Sequence, residues 1–497
     1  MELAVPLLFF LSFFFNFRAA YKLLIDWKGM LSTTRFIQEA YERAGDLPPE
    51  EVLEQDDRAP VFFHLVPAYQ EPGIAGTLRA LLDSRYPHGK LHVVVVTKEE
   101  EEIAPHPAMP HSTGELVGRF RSELPPYQQK ILSHVVAPGD GCKAHQLNWA
   151  LRPEPLGEIL GESHDPSRVF VGVSDADSHP DPNVYRWIAQ EEISGGGSLA
   201  YQGVTLSLAN FDRLDVRGRI CAVQQTSIFI RVSLARLINE AKRVRVLGWL
   251  RARFPRTGRV VRPAFEFFFR RSQILLGHNQ FVRLDTLQAL GGFPTQGATE
   301  DSTLGYELGA RGILIRAMPM VEVSDLPETP EKIIRQNARW YKGVLDDLPY
   351  LWRTWRERPT AYNLAQLLRH VGNKVVEWPI AAVVYPVMGF LGWHLAYSVR
   401  EHFWLFTLSL AFPTVALALT IWVAGIVTQR LVEGMAPYLP KPVDLGRKNF
   451  REKFWGIFRS QTYWLLATRA AWRVLWALAT TGRYEPAKTD RVVRVRR

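Results

Sequence analysis

Cysteine is almost missing from this chain: Cys142 and Cys221 are the only two among 497 residues. That excludes a disulfide framework, their spacing excludes a cysteine zinc site, and both read as free thiols in a reducing compartment. Internal repeats are absent. Apolar runs long enough to enter a bilayer number three at most, too few for a transporter. A chain 22% charged and 47% apolar is also too wet for one living wholly in lipid. What is present is a basic excess, net +10. The cations cluster beside apolar segments, which fits anionic headgroups or a phosphate-rich ligand better than nucleic-acid reading, so no nucleic-acid partner is expected. The length leaves room for a globular domain of about 250–300 residues plus membrane segments.

The three apolar runs are Leu3–Phe17, Val375–Ala396 and Phe403–Val427. The first is shorter than the roughly 20 residues a spanning helix needs. Arg18, Lys22 and Lys28 follow it instead of preceding it, and no small-x-small cleavage site appears, so it reads as an uncleaved anchor and not a signal peptide. Pro379, Pro386 and Pro413 are tolerable where neighbouring helices satisfy the freed carbonyls. Arg430–Arg459 carries seven Lys/Arg against three acids. The positive-inside rule places it in the cytoplasm with everything from Arg18 to Lys374, and leaves Tyr397–His402 outside. In Thr462–Thr481, Arg469 and Arg473 would each cost about 2.5–3.5 kcal/mol at the centre of a spanning helix, which favours an interfacial one. The expected organisation is an N-terminal transmembrane anchor over 1–25, a cytoplasmic domain over 58–335, interfacial helices over 336–374, a transmembrane hairpin over 375–427, and a basic cytoplasmic loop, an interfacial or membrane helix and a basic tail over 428–497. An integral protein of the plasma or inner membrane, with its catalytic domain in the cytoplasm, is therefore expected.

Within the soluble part, Val61–Pro67, Leu91–Val96 and Val169–Val173 are β-branched, aromatic runs bounded by turn signals. They alternate with helical periodicity through Leu78, Leu81 and Leu82. This predicts an α/β domain with a mostly parallel sheet. Ligands then sit beyond the carboxyl ends of the strands, where Glu71, Glu99, Asp175 and Asp177 fall.

Three motifs follow in order: Ser174-Asp175-Ala176-Asp177, Thr299-Glu300-Asp301 and Gln336-Asn337-Ala338-Arg339-Trp340. Asp-x-Asp alone is usually a solvated turn. Behind a buried strand, alternation points both carboxylates one way, where both reach a hard cation such as Mg²⁺ or Mn²⁺ that also takes phosphate oxygens. Thr299-Glu300-Asp301 alone is a helix N-cap with acids favoured by the dipole, and a cap would hold Asp301 still. Gln336–Trp340 begins an amphipathic helix continuing through Tyr341, Leu345, Leu348, Leu351, Trp352 and Trp355, an aromatic face suited to a membrane surface. Lys143, Leu147 and Asn148 follow the flexible Gly139-Asp140-Gly141, and alone would be a solvated loop.

Taken together, these motifs resemble those of membrane-integrated family 2 glycosyltransferases, the group with cellulose, chitin and hyaluronan synthases, over Val61 to Trp340. The resemblance implies a single nucleotide-sugar-binding domain of the GT-A type, flanked by transmembrane and interfacial helices. It implies Tyr69 and Glu71 at the nucleoside, with Glu99 where the family has aspartates. Lys143, Asp175 and Arg339 would bind the donor diphosphate, and Asp175 and Asp177 the Mg²⁺ or Mn²⁺. His278, Asn279, Gln336 and Trp340 would bind the acceptor, and Asp301 beside Glu300 would be catalytic. The implied activity is metal-dependent, inverting transfer of a hexosyl group from a nucleotide-sugar, a UDP-sugar, to a hydroxyl of a glycan or lipid-linked acceptor, as in polysaccharide synthesis. Three spans give too little wall for a pore, so export would need a membrane partner or a homo-oligomer. A non-catalytic membrane receptor or scaffold on the same core is the rival from another class. It would lose the carboxylates, as a nucleotidyltransferase would lack a use for Trp340.

Overall fold

The computed structural model describes residues 25, 28–104, 109–139, 141–380, 426, 430, 432–434, 439, 443 and 461–485. Eight strands among them form one sheet: β1 (Val61–Pro67), β2 (Leu91–Lys98), β3 (Leu132–Ala137), β4 (Val169–Val173), β5 (His179–Pro180), β6 (Ala200–Leu206), β7 (Gln280–Arg283) and β8 (Ile315–Val323). Their order is β3-β2-β1-β4-β7-β6-β8-β5. β1, β2, β3 and β4 pair in parallel, as do β6 and β8, while β7 and β5 run antiparallel to their neighbours. The sheet is thus mixed and mostly parallel. Both faces are covered, and strand parity divides β1 between two cores: Phe62 and Val66 enter one, Phe63 and Leu65 the other.

The helices used below are α1 (Ile74–Leu82), α2 (Glu99–Ile103), α3 (Thr113–Ser122), α4 (Lys143–Ala150), α5 (Val216–Ile228), α6 (Ala235–Arg253), α7 (Pro255–Phe268), α8 (Glu300–Ala310), α9 (Pro330–Glu357), α10 (Ala361–His370) and α11 (Gln461–Thr481). α1 follows β1, as a crossover between the parallel strands β1 and β2 requires. Far along the chain, α11 returns to α9 and buries Ala470, Ala471 and Val474 against Ile334, Ala338, Tyr341 and Val344. It also packs on α5.

No helix among the described residues, α11 included, is long and apolar enough to cross a membrane. The apolar runs Leu3–Phe17 and, but for residue 426, Phe403–Val427 lie outside those residues, as does Val375–Ala396 beyond Ile380. The aromatic side of α9 is partly internal: Tyr341 packs under α11 and Leu351 against Tyr306, while Trp352 is exposed.

Candidate active site

Parallel strands present their carboxyl ends along one edge, and β7, running the other way, starts there. The candidate segments therefore gather at that edge: Tyr69–Glu71 after β1, Glu99 after β2, Lys143 after β3, Asp175–Asp177 after β4 and Gly277–Asn279 before β7.

Lys143 joins them. It opens α4, and its Nζ donates to Asp175 Oδ1 at 2.6 Å and to the Gly277 carbonyl at 2.7 Å. Glu300 Oε1 stands 3.7 Å away. Burial works against this ammonium, yet Asp175, Glu300 and Asp301 hold its pKa above the ordinary lysine value. Asn148, one turn on, is spent on structure: its amide binds Phe293 N and O at 2.7 and 2.8 Å.

Gly277 has a left-handed φ of +77°, and a Cβ there would lie 2.7 Å from Asp301 Oδ2. Only glycine lets that carboxylate rest on the backbone. Asp301 sits in the first turn of α8, with Oδ1 accepting the Ser302 N–H at 2.7 Å. Desolvation and the neighbouring Glu300 push its carboxyl up to about 7, against the pull of Lys143. A carboxylate so placed is poised to take a proton near neutral pH.

Thr299 occupies the N-cap position, but its side chain makes no capping bond. The start of α8 is fixed from α9 instead. Asp347, 1% exposed, accepts from Ser302 Oγ at 2.9 Å and Thr303 Oγ1 at 2.7 Å. Burial raises its own carboxyl to about 6. Gly343 lies so near Thr299 that a Cβ would collide with the threonine side chain. Gln336, Trp340, Gly343 and Asp347 recur at the four-three-four spacing of one helix face, with Arg339 alongside. Because Gly343 and Asp347 touch α8, Gln336, Arg339 and Trp340 lie on the same face one to two turns upstream, all three half-buried. Gln336 Oε1 is buried without a hydrogen-bond partner, and Arg339 has none among the described residues.

Sequence reasoning missed Glu322, on β8 and wholly buried. Its carboxylate accepts from Ser174 Oγ at 2.7 Å and Ser178 Oγ at 2.9 Å, the two serines that bracket Asp175–Asp177. It also accepts from Thr205 Oγ1 at 3.3 Å and His278 Nδ1 at 2.6 Å. Burial opposes a charge on His278, but the bond and charge of Glu322 hold its pKa above the ordinary value. Asn279, by contrast, is turned into the sheet, where its amide donates to the carbonyls of Val204 and Met320 at 3.1 Å each. The structure places it behind the site.

Beyond β1 and β2, Glu99 is exposed. The glutamate that reaches back is Glu101, 1% exposed. It accepts the N–H of Gln70 at 2.9 Å and of Thr113, at the start of α3, at 2.8 Å. It thereby holds the turn Tyr69–Glu71, in which Gln70 has a φ of +55°. Tyr69 is half-buried with Lys98 Nζ 4.9 Å from its ring centre, and Glu71 is buried with its N–H on Thr113 Oγ1 at 3.0 Å. Burial, then Glu100 and Glu101, push the Tyr69 phenol up.

The strand β4 ends at Val173, and Asp175–Ser178 is a turn closed by Ser178 N–H on the Asp175 carbonyl at 3.0 Å. Ala176 faces the core and its carbonyl accepts from Thr77 at 2.8 Å. Asp175 and Asp177 flank it, both half-buried. Among the described residues no three His, Cys, Asp or Glu side chains converge on a closed metal centre. Two carboxylates do suit Mg²⁺ or Mn²⁺, hard cations that complete their shell with waters and phosphate oxygens.

The family described as Glycosyl transferase family group 2 matches residues 244–429. That span contains the Gly277 loop, Thr299–Asp301 and Gln336–Trp340 but not Lys143, Asp175 or Asp177. No curated protein matches the chain in sequence. Among solved structures, the mannosyltransferase PcManGT from Pyrobaculum calidifontis, in complex with GDP-Man and Mn²⁺, is 18% identical over 91% of this chain and 99% of that one, with a TM-score of 0.42. S. aureus TarS 1–349 is 13% identical over 85% and 92%, at 0.34. Its complex with UDP-GlcNAc is 12% identical over 85% and 93%, at 0.31. Overlaps this loose say nothing of chemistry, which rests on the site's own geometry.

Proposed function

We propose that this chain is an inverting glycosyltransferase of the GT-A type. It moves a sugar from a nucleoside diphosphate sugar, a UDP-sugar by resemblance, to a hydroxyl of a glycan or lipid-linked acceptor at the cytoplasmic face of a membrane. The observation that carries this reading is the bridge made by Lys143, whose one ammonium contacts Asp175 and the Gly277 backbone on which Asp301 rests. The Asp175–Asp177 turn and the Asp301 carboxyl are thereby held side by side, as a metal–diphosphate clamp and a base would need to be. The family match over residues 244–429 supports the acceptor half of the site.

In this reading Asp175 and Asp177 would hold Mg²⁺ or Mn²⁺, which would supply positive charge against the leaving diphosphate. Lys143 and Arg339 bind phosphate oxygens directly. Asp301 accepts the proton of the acceptor hydroxyl as its oxygen bonds to the anomeric carbon and the bond to the diphosphate breaks. A single displacement inverts the anomeric centre. Gln336 and Trp340 offer a hydrogen bond and a flat apolar surface to the acceptor ring. Burial, and after it repulsion from Glu300, keeps the Asp301 carboxyl basic.

The test is to incubate the protein with a panel of nucleotide-sugars and Mg²⁺ or Mn²⁺ and to measure nucleoside diphosphate release. Release from one donor class, stimulated by an acceptor, is expected. Binding without release across the panel supports the scaffold reading instead.

A further inference from the structure

From Ala241 to Phe265 the chain carries Lys242, Arg243, Arg245, Arg251, Arg253, Arg256, Arg259 and Arg262 and no aspartate or glutamate. The transferase reading uses none of them. They fall on α6 and α7, consecutive helices that meet at Phe254 and pack on each other. The two flanking acids are already spent, Glu240 on Arg270 at 2.7 Å and Arg243 at 3.6 Å, Glu266 on Arg262 at 2.7 Å. Lys242 and Arg251 are exposed and have no acidic partner among the described residues.

Between these cations stand the exposed apolar side chains Val246, Trp249 at 60%, Phe254 and Val261, and Phe268 at 65% and Phe269 follow at the end of α7. A solvated basic face needs no such residues, and a face packed on protein would bury them. Cations interleaved with aromatics want a partner that is anionic at its surface and apolar beneath.

We propose that the α6–α7 hairpin docks on an anionic lipid bilayer, with its lysines and arginines on headgroups and Trp249, Phe254, Phe268 and Phe269 at the acyl boundary. Charge selects this occupant. The chain's own tail, with Arg491, Arg494, Arg496 and Arg497, and a second copy at net +10 are both repelled. A nucleic acid would meet the cations but leave Val246 and Val261 in water. The inference goes beyond the transferase reading and does not depend on it, since nucleotide release by the same preparations scores that reading separately.

The full chain is incorporated into vesicles of phosphatidylcholine alone or mixed with phosphatidylglycerol, and amide hydrogen exchange is followed over residues 241–269. Exchange in this segment is expected to be about tenfold slower in the anionic vesicles, with the difference shrinking at high salt. Combining Lys242→Glu, Arg245→Glu, Arg251→Glu and Arg253→Glu should abolish the difference and leave nucleotide release unchanged. The wild-type comparison stands even where that variant fails to fold. Equal exchange in both vesicles overturns the proposal, as does stronger protection by an RNA oligonucleotide than by anionic vesicles.

Discussion

His278 holds its Nδ1 2.6 Å from Oε1 of Glu322, a carboxylate with no exposed surface, 44 residues further along the chain. Ser174 and Ser178 bind the same carboxylate. One buried charge thus ties the loop that carries Gly277 to the turn that carries Asp175 and Asp177.

Replacing it tests that tie. Glu322→Gln keeps the shape but sets an amide NH₂ against donors, costing about 1–3 kcal/mol of stability. We predict that the folded variant needs several-fold more Mg²⁺ or Mn²⁺ for half-maximal rate, because the serines no longer fix the carboxylate turn. Purely structural damage would lower the melting temperature and leave that metal requirement unchanged.

Asp301 is predicted to set the pH response. Its carboxyl stands at about 7, raised by burial and by Glu300, so kcat/KM should climb as pH rises through neutrality and the base ionises. Glu300→Gln removes the like charge and should move the rising limb to lower pH. The same shift has the opposite sign for folding. With a folded pKa above the unfolded value, stability is present below the ordinary carboxylate range and is lost as pH rises towards 7. Asp301→Asn should therefore flatten the fall in melting temperature across that window, and an unaltered fall would place the raised pKa elsewhere.

Gly277→Ala places a methyl against Asp301 Oδ2 and demands a left-handed φ of an L side chain. The backbone cost is about 1–2 kcal/mol. Turnover should fall about 100-fold, because the carboxylate is displaced from where the acceptor hydroxyl must meet it. Wild-type turnover in a folded Gly277→Ala protein would separate Asp301 from the chemistry.

Metal removal bears on the carboxylate turn. Chelation should abolish transfer, and added Mg²⁺ or Mn²⁺ should restore it in the wild type but not in Asp177→Asn, whose melting temperature is expected to stay within a few degrees. Full activity in chelator would take the cation out of the reaction.

The strands β1, β2 and β4 are legible in the sequence because each is a short apolar run rich in Val and Phe between turn signals. β6 and β8 are not, since Gly203 interrupts one and Pro319 and Glu322 the other. Glu322 could not be singled out for a second reason: its serine partners lie 148 and 144 residues away, and sheet order alone brings them to it. Glu99 to Glu102 are equivalent as letters. The turn of α2 decides that Glu101, and not Glu99, faces the loop after β1. Asp301 was legible from its motif, but its support was not. Thr299 suggests a cap, whereas the hydrogen bonds come from Asp347 on α9.

The central claim, that Asp301 is the acceptor-side base while Asp175 and Asp177 serve the donor, is tested most directly by measuring donor affinity and transfer rate together in two variants. In Asp301→Asn, nucleotide-sugar affinity should stay within about twofold of wild type while the transfer rate falls by about 100- to 10,000-fold. In Asp177→Asn, donor affinity in the presence of Mg²⁺ should fall along with the rate. Parallel loss of affinity and rate in Asp301→Asn, or transfer at the wild-type rate, would contradict the account.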